Sequence, residues 1–122
     1  MQDKPLKPYV LVDLAKNRIR IYQVTLHALQ DPGYILIIVN PVGKTLGIMR
    51  GDRDDSGAHK VKRAGRASYE LYSRSLTQKF REICSDWVDA GRYRMRGAVM
   101  PDKTVVQFDM DEAEFMGIGA VS

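Results

Sequence analysis

Arg18-Ile19-Arg20-Ile21-Tyr22 alternates charged and apolar side chains, and Ser68-Tyr69-Glu70-Leu71-Tyr72 alternates in the same way fifty residues later. A period of two sends successive side chains to opposite faces of a sheet. Each stretch therefore predicts a strand with one face in a core and one in solvent. The chain continues alike in both places. After the first strand, Thr25 to Leu29 reads as a short helical turn with Leu26 and Leu29 on one face, ended by Pro32-Gly33. After the second, Ser73 or Ser75 caps a helix that carries Leu76, Phe80, Ile83, Trp87 and Val88 on one face, with Gly91 as its left-handed stop.

A hairpin is predicted next in each case. Tyr34 to Val39 is apolar at every position, which predicts a strand covered on both faces. Asn40-Pro41-Val42-Gly43 turns the chain and Lys44 to Met49 returns it. In the second half, Tyr93 to Met100 and Thr104 to Met110 close around Pro101-Asp102-Lys103. Upstream, Tyr9 to Val12 reads as a strand. Asp13 to Asn17 reads as a polar turn in which Asn17 suits a positive φ. Arg50 to Ala67, rich in charge and glycine, reads as a linker or functional loop with a short strand around Val61. The tail after Asp111 is expected to fray.

The expected fold class is α+β: two β-α-β-β repeats closing into one small pseudo-twofold β-barrel-like domain over residues 1–122. The first repeat covers about 9–50, a charged linker 51–67, the second repeat about 68–110 and the tail 111–122. One such unit alone exposes an apolar sheet face, and two can close on each other.

Composition bounds the function. The chain is 44% hydrophobic and 28% charged, values that exclude a disordered or membrane-embedded protein. The single cysteine, Cys84, allows no intramolecular disulfide, which fits a reducing compartment. Met1 to Pro5 lacks an apolar run behind a basic start, and no segment is long enough for a membrane helix. The expectation is a cytoplasmic protein with no membrane partner. Charge is uneven: residues 1–66 carry +6 and residues 67–122 carry −2, within a net +4. A basic half favours a polyanion on one side.

The catalytic and metal motifs fail on spacing. Gly43-Lys44-Thr45 imitates the end of a phosphate loop, but Ile38 stands where the first glycine belongs. Asp52-Arg53-Asp54-Asp55-Ser56-Gly57 imitates half a calcium loop, but Arg63 occupies the place of the bidentate acid. His27, His59 and Cys84 are too scattered for a zinc site, and Cys84 borders an apolar helix face, as an inert thiol would. No carboxylate pair is singled out. The expectation is no enzyme, no cofactor and no metal.

The basic residues carry more information. Lys16, Arg18 and Arg20 cluster on a turn and a strand; Lys60, Lys62, Arg63 and Arg66 lie in the glycine-containing loop. Cations on a loop can follow a phosphate backbone, and those on a strand give fixed anchors. Arg92, Arg94 and Arg96 form a further stripe at alternate positions. They face solvent or pair with Glu70 or the acidic tail.

Val12-Asp13, then Arg18-Ile19-Arg20-Ile21, then Leu26, Leu29 and the apolar hairpin to Ile48 resemble the swapped-hairpin DNA-binding domains of the AbrB/MraZ/MazE type. The resemblance covers residues 9–50 and reaches 68–110 only through the repeat. It differs in having Tyr22 where the family carries proline and Glu70 where the second copy would be basic. It implies double-stranded DNA as partner, Lys16, Arg18 and Arg20 as the contacting positions, and a possible homodimer. The leading expectation is a small non-enzymatic, regulator-like nucleic-acid-binding protein that meets phosphates through its basic N-terminal half. The alternative is a protein-interaction module without nucleic-acid binding. A ligand held in the seam between the repeats is a third reading.

Overall fold

A computed structural model describes residues 7–62, 68–102 and 104–119. Its strands are β1 (Tyr9–Asp13), β2 (Arg18–Tyr22), β3 (Tyr34–Asn40), β4 (Thr45–Gly51), β5 (His59–Lys60), β6 (Ser68–Tyr72), β7 (Gly91–Val99), β8 (Val105–Asp109) and β9 (Glu114–Ile118). The helices are α1 (Gln23–Ala28) and α2 (Arg74–Ile83). The fold is a small α+β domain. Its antiparallel sheet runs β5-β3-β4-β8-β7-β1-β2-β6 and curls into a half-barrel, with β9 added alongside β7.

The curl is centred on β7. Its first residues, to Arg96, pair with β1, and Gly97 to Val99 pair with β8. At the changeover the chain passes so close to the core that a Cβ on Gly97 would sit 2.5 Å from the Phe108 ring. The inner face buries Val10, Val12, Ile19, Ile21, Ile48, Met95, Val106 and Phe108. Leu26 and Leu29 around α1 and Phe80 of α2 pack into the same core.

Both alternating strands form as expected. Ile19 and Ile21 are buried, while Arg18, Arg20 and Tyr22 lie on the opposite face. Asn17 takes φ +49, as its turn position demands. Its side-chain oxygen accepts from Thr77 Oγ1 at 2.8 Å and from Arg81 Nη1 at 3.1 Å, which ties the β1–β2 turn to α2. Ser73 caps α2 by accepting from the Leu76 N–H.

Three expectations are corrected. The second helix ends at Ile83, and Gly91 does not stop it. The chain leaves through turns at Trp87 and Gly91, with Ala90 in the left-handed region at φ +65. Polar Ser85, Asp86 and Asp89 break the helical pattern. Trp87 stacks between Phe80 and Tyr93, and Val88 is exposed. Tyr34 to Val39 is covered on one face only: Ile35 is fully buried but Ile38 is 53% exposed. The short strand expected around Val61 is present as His59–Lys60, with Val61 next to it, buried and donating its N–H to Gly33 O. The tail does not fray at Asp111. It makes a 3₁₀ turn at Met110–Glu112 and then β9, which pairs with β7. The first helix ends through positive φ at Gln30 and Asp31, ahead of Pro32-Gly33. No helix among the described residues is long and apolar enough to cross a membrane.

Candidate nucleic-acid interface

Strand alternation buries the apolar face of β1, β2, β6 and β7 in the core and gathers polar side chains on the other, where Asp13 and Arg18 are themselves buried among their neighbours. The register orders that outer face into three rows. The first runs Arg92, Asp13, Arg18, Tyr72; the second Glu114, Arg94, Leu11, Arg20, Glu70. The third runs Arg96, Tyr9, Tyr22, Ser68, with the Tyr9 and Tyr22 rings stacked at 4.2 Å between centroids. Five arginines and three tyrosines thus share one face with only three carboxylates.

The carboxylates hold most of the arginines in place. Arg18 donates from Nη2 to Asp13 Oδ2 and from Nη1 to Glu70 Oε2, both at 3.0 Å. Arg20 reaches the other Glu70 oxygen at 3.3 Å. Arg94 and Arg96 share Glu114 at 3.2 and 3.4 Å. Arg92 has no carboxylate partner among the described residues and donates to Met116 O. Guanidinium donors outnumber these acceptors: Nε of Arg18, Arg20, Arg92 and Arg94 is buried without a partner.

Burial would raise the Glu70 carboxyl, but the Tyr72 hydroxyl and the Arg18 and Arg20 charges together hold it below the ordinary glutamate value. The Arg94 hydrogen bond and charge lower Glu114 in the same direction, with Arg96 adding to them. Burial opposes charge on Arg18, yet Tyr72, Glu70 and Asp13 outweigh it and raise the guanidinium further. Glu70, Glu114 and Arg18 are thereby held in their charged forms at neutral pH.

The sequence candidates divide into two groups. Lys16 is exposed on the β1–β2 turn, next to the first row. Arg20 is partly exposed in the second row. Arg18 is buried, with both amino groups engaged, and orients the face rather than presenting a free cation. Lys60 and Lys62 are exposed at β5, the opposite end of the strand order. Arg63 and Arg66 lie outside the described residues. Arg92, Arg94 and Arg96 join the face by pairing with β1, and of their two expected kinds of partner the tail carboxylate Glu114 is the one found. Sequence reasoning misses Tyr9, Tyr22 and Tyr72. Their only local signal is a tyrosine at the end of an alternating strand.

Among the described residues no group of three or more His, Cys, Asp or Glu could hold a metal ion. Cys84 is buried and its thiol is pushed up to about 11 by burial, so it is a poor nucleophile at neutral pH. No family model, curated protein or solved structure matches the chain.

Proposed function

We propose that this chain is a small non-enzymatic, regulator-like nucleic-acid-binding protein that uses the outer face of β9, β7, β1, β2 and β6. The observation that carries the reading is the concentration there of five arginines and three tyrosines against three carboxylates. Lys16, Lys60 and Lys62 add exposed cations, Lys16 beside that face. A cytoplasmic setting belongs to the same proposal; the swapped-hairpin resemblance offers duplex DNA as one candidate form of the nucleic acid, which the strand form of the probe tests. Arg63 and Arg66 would extend the contact from the loop. The test is fluorescence anisotropy on labelled nucleic acid across a salt series. Affinity should fall steeply as salt rises, and Arg94→Gln/Arg96→Gln should weaken it. Binding that ignores salt would remove the proposal.

The scaffold reading proposed with it is a duplicated unit with a pseudo-twofold axis. β2 pairs with β6 about Arg20↔Glu70, and β4 with β8 about Gly47↔Gln107. The first centre sets residues fifty apart opposite each other. The second sets residues sixty apart, the offset of Pro41 and Pro101 after the longer second helix. Exchanging the two halves therefore carries each ladder onto itself. The path β5-β3-β4-β8-β7-β1 is also symmetric under that exchange.

One observation favours a protein-interaction module instead. Phe115, Met116 and Ile118 are exposed on β9, which pairs with β7 along one side. An apolar strand of this kind can pair with another chain, including a second copy. Light scattering on the eluted protein separates the readings: a dimer that leaves nucleic-acid affinity concentration-independent keeps the arginine face as the functional one.

A further inference from the structure

We infer that the outer face takes single-stranded rather than duplex nucleic acid, with bases stacked on Tyr72 and Tyr22 and phosphates over Arg20 and Arg94. This rests on the outer face being a nucleic-acid surface at all. Two observations decide the strand form.

The first is the state of the cations. Arg18, Arg20, Arg94 and Arg96 each already bond a carboxylate, and Arg18 is almost wholly withdrawn from solvent. A duplex offers a protein mainly its phosphates, and affinity for them comes from free cations displacing counterions. A face whose charges are largely compensated is weak at that. It needs a second source of affinity.

The second is the placement of the rings. Tyr72 is 63% exposed, a high value for an aromatic side chain on a sheet. It is nevertheless held: its hydroxyl donates to Glu70 Oε2 at 3.1 Å, and the Arg18 guanidinium lies 5.9 Å from the ring centroid. The ring is fixed by the same ionic network that compensates the arginines, so it loses little freedom when a base lands on it. Tyr22 is stacked on Tyr9 at one side, and its cross-strand neighbour at the other is the small Ser68. Tyr22 and Tyr72 lie on neighbouring strands with Arg20↔Glu70 between them. At ~3.3 Å rise per residue, the four residues from Ser68 to Tyr72 separate the two rings by ~13 Å along the strand. Bases within a duplex are paired, stacked and unavailable to such rings. The bases of a single strand splay apart and stack on aromatic side chains, while its phosphates meet neighbouring cations.

The experiment is anisotropy at low salt with the full chain and one mixed-sequence oligonucleotide, offered as single-stranded DNA, as single-stranded RNA and as DNA duplex. Either single strand should bind at least about tenfold more tightly than the duplex. Which one binds more tightly identifies the sugar. Tyr72→Ala should lower single-strand affinity by about tenfold with duplex affinity unchanged; because it also removes the hydroxyl bond to Glu70, a melting curve of the variant accompanies the titration. Tyr72→Phe, which keeps the ring but gives up its hydroxyl bond to Glu70, should lose less affinity than Tyr72→Ala. Tyr22→Ala serves as the second stacking variant. Duplex affinity equal to or above that of both single strands overturns the inference, as does wild-type single-strand binding by both alanine variants; the nucleic-acid reading would survive either. Failure of all three probes to bind removes the inference and that reading together.

Discussion

Glu70 holds two arginines with one carboxyl group, Oε2 on Arg18 and Oε1 on Arg20. Its side chain is only 25% exposed, so removing the charge leaves a nearly buried Arg18 relying on Asp13 alone. Glu70→Gln should cost about 2 kcal/mol in thermal or chemical unfolding, less than the ~3–5 of a fully buried broken pair. The same variant should raise affinity for nucleic acid, because Arg20 is released. A fall in both stability and affinity would mean that Glu70 shapes the surface more than it masks it. The pH dependence has a definite sign. Glu70 has a native value held below its ordinary 4.5, so its contribution is complete above 4.5 and is lost as pH falls through the lowered native value. Melting temperature should drop on acidification below 4.5, less steeply in Glu70→Gln. Cys84 shifts the other way. Its thiol stays protonated well past neutrality, so native protein at pH 8 should resist iodoacetamide and label only on unfolding. The positive φ of Asn17 is legible in the sequence because it depends on the local chain. The partners of Glu70 are not: the sequence offers it Arg92, Arg94 and Arg96, whereas a ladder joining residues fifty apart gives it Arg18 and Arg20.

At the scale of elements, the sequence is legible wherever one segment decides by itself. The alternation in β2 and β6, the Ser73 cap and the Leu26/Leu29 pair are set within a few residues, and all are present. Ser73→Ala should lower stability by about 1 kcal/mol, through the lost bond to the Leu76 N–H. A thermal melt checks it, and Ser75→Ala, at the other candidate cap, should do less. Elements whose edges depend on distant partners are the ones that differ from expectation. Trp87 keeps the helical spacing with Phe80 yet lies beyond the helix, because stacking on Tyr93 satisfies the same apolar demand from a turn. β9 is invisible locally, since Glu114-Phe115-Met116-Gly117-Ile118 becomes a strand only against β7. The bend of β7 is equally non-local: Gly97 is required by the Phe108 ring, which arrives from β8. Gly97→Ala should cost about 1–3 kcal/mol, as overpacking of a rigid contact does. A smaller loss would mean that β7 shifts to accommodate the methyl group.

The whole molecule is held by ladders that cross between its halves: β1 with β7, β2 with β6 and β4 with β8. The core is shared in the same way, Leu46 and Ile48 packing with Val106 and Phe108. Residues 1–62 and 68–122 made as separate chains should therefore not fold individually. Each would expose the apolar face that the other covers. Co-expressed, they should co-purify as a pair with the circular dichroism of the intact chain. The proposed duplication raises a competing outcome, in which the first half pairs with a second copy of itself. The β2 register opposes this. Self-pairing would set Arg20 directly against Arg20, and like charges opposite each other destabilise a ladder. Glu70 at the counterpart position converts that repulsion into an ion pair, so the charge difference between the halves selects the mixed assembly over the self-paired one. Light scattering on the isolated first half should find no stable dimer, and Arg20→Gln in that half should make self-association easier. A wild-type first half that dimerises on its own, with a cooperative melt, would show that the charge difference serves the outer face and not the assembly.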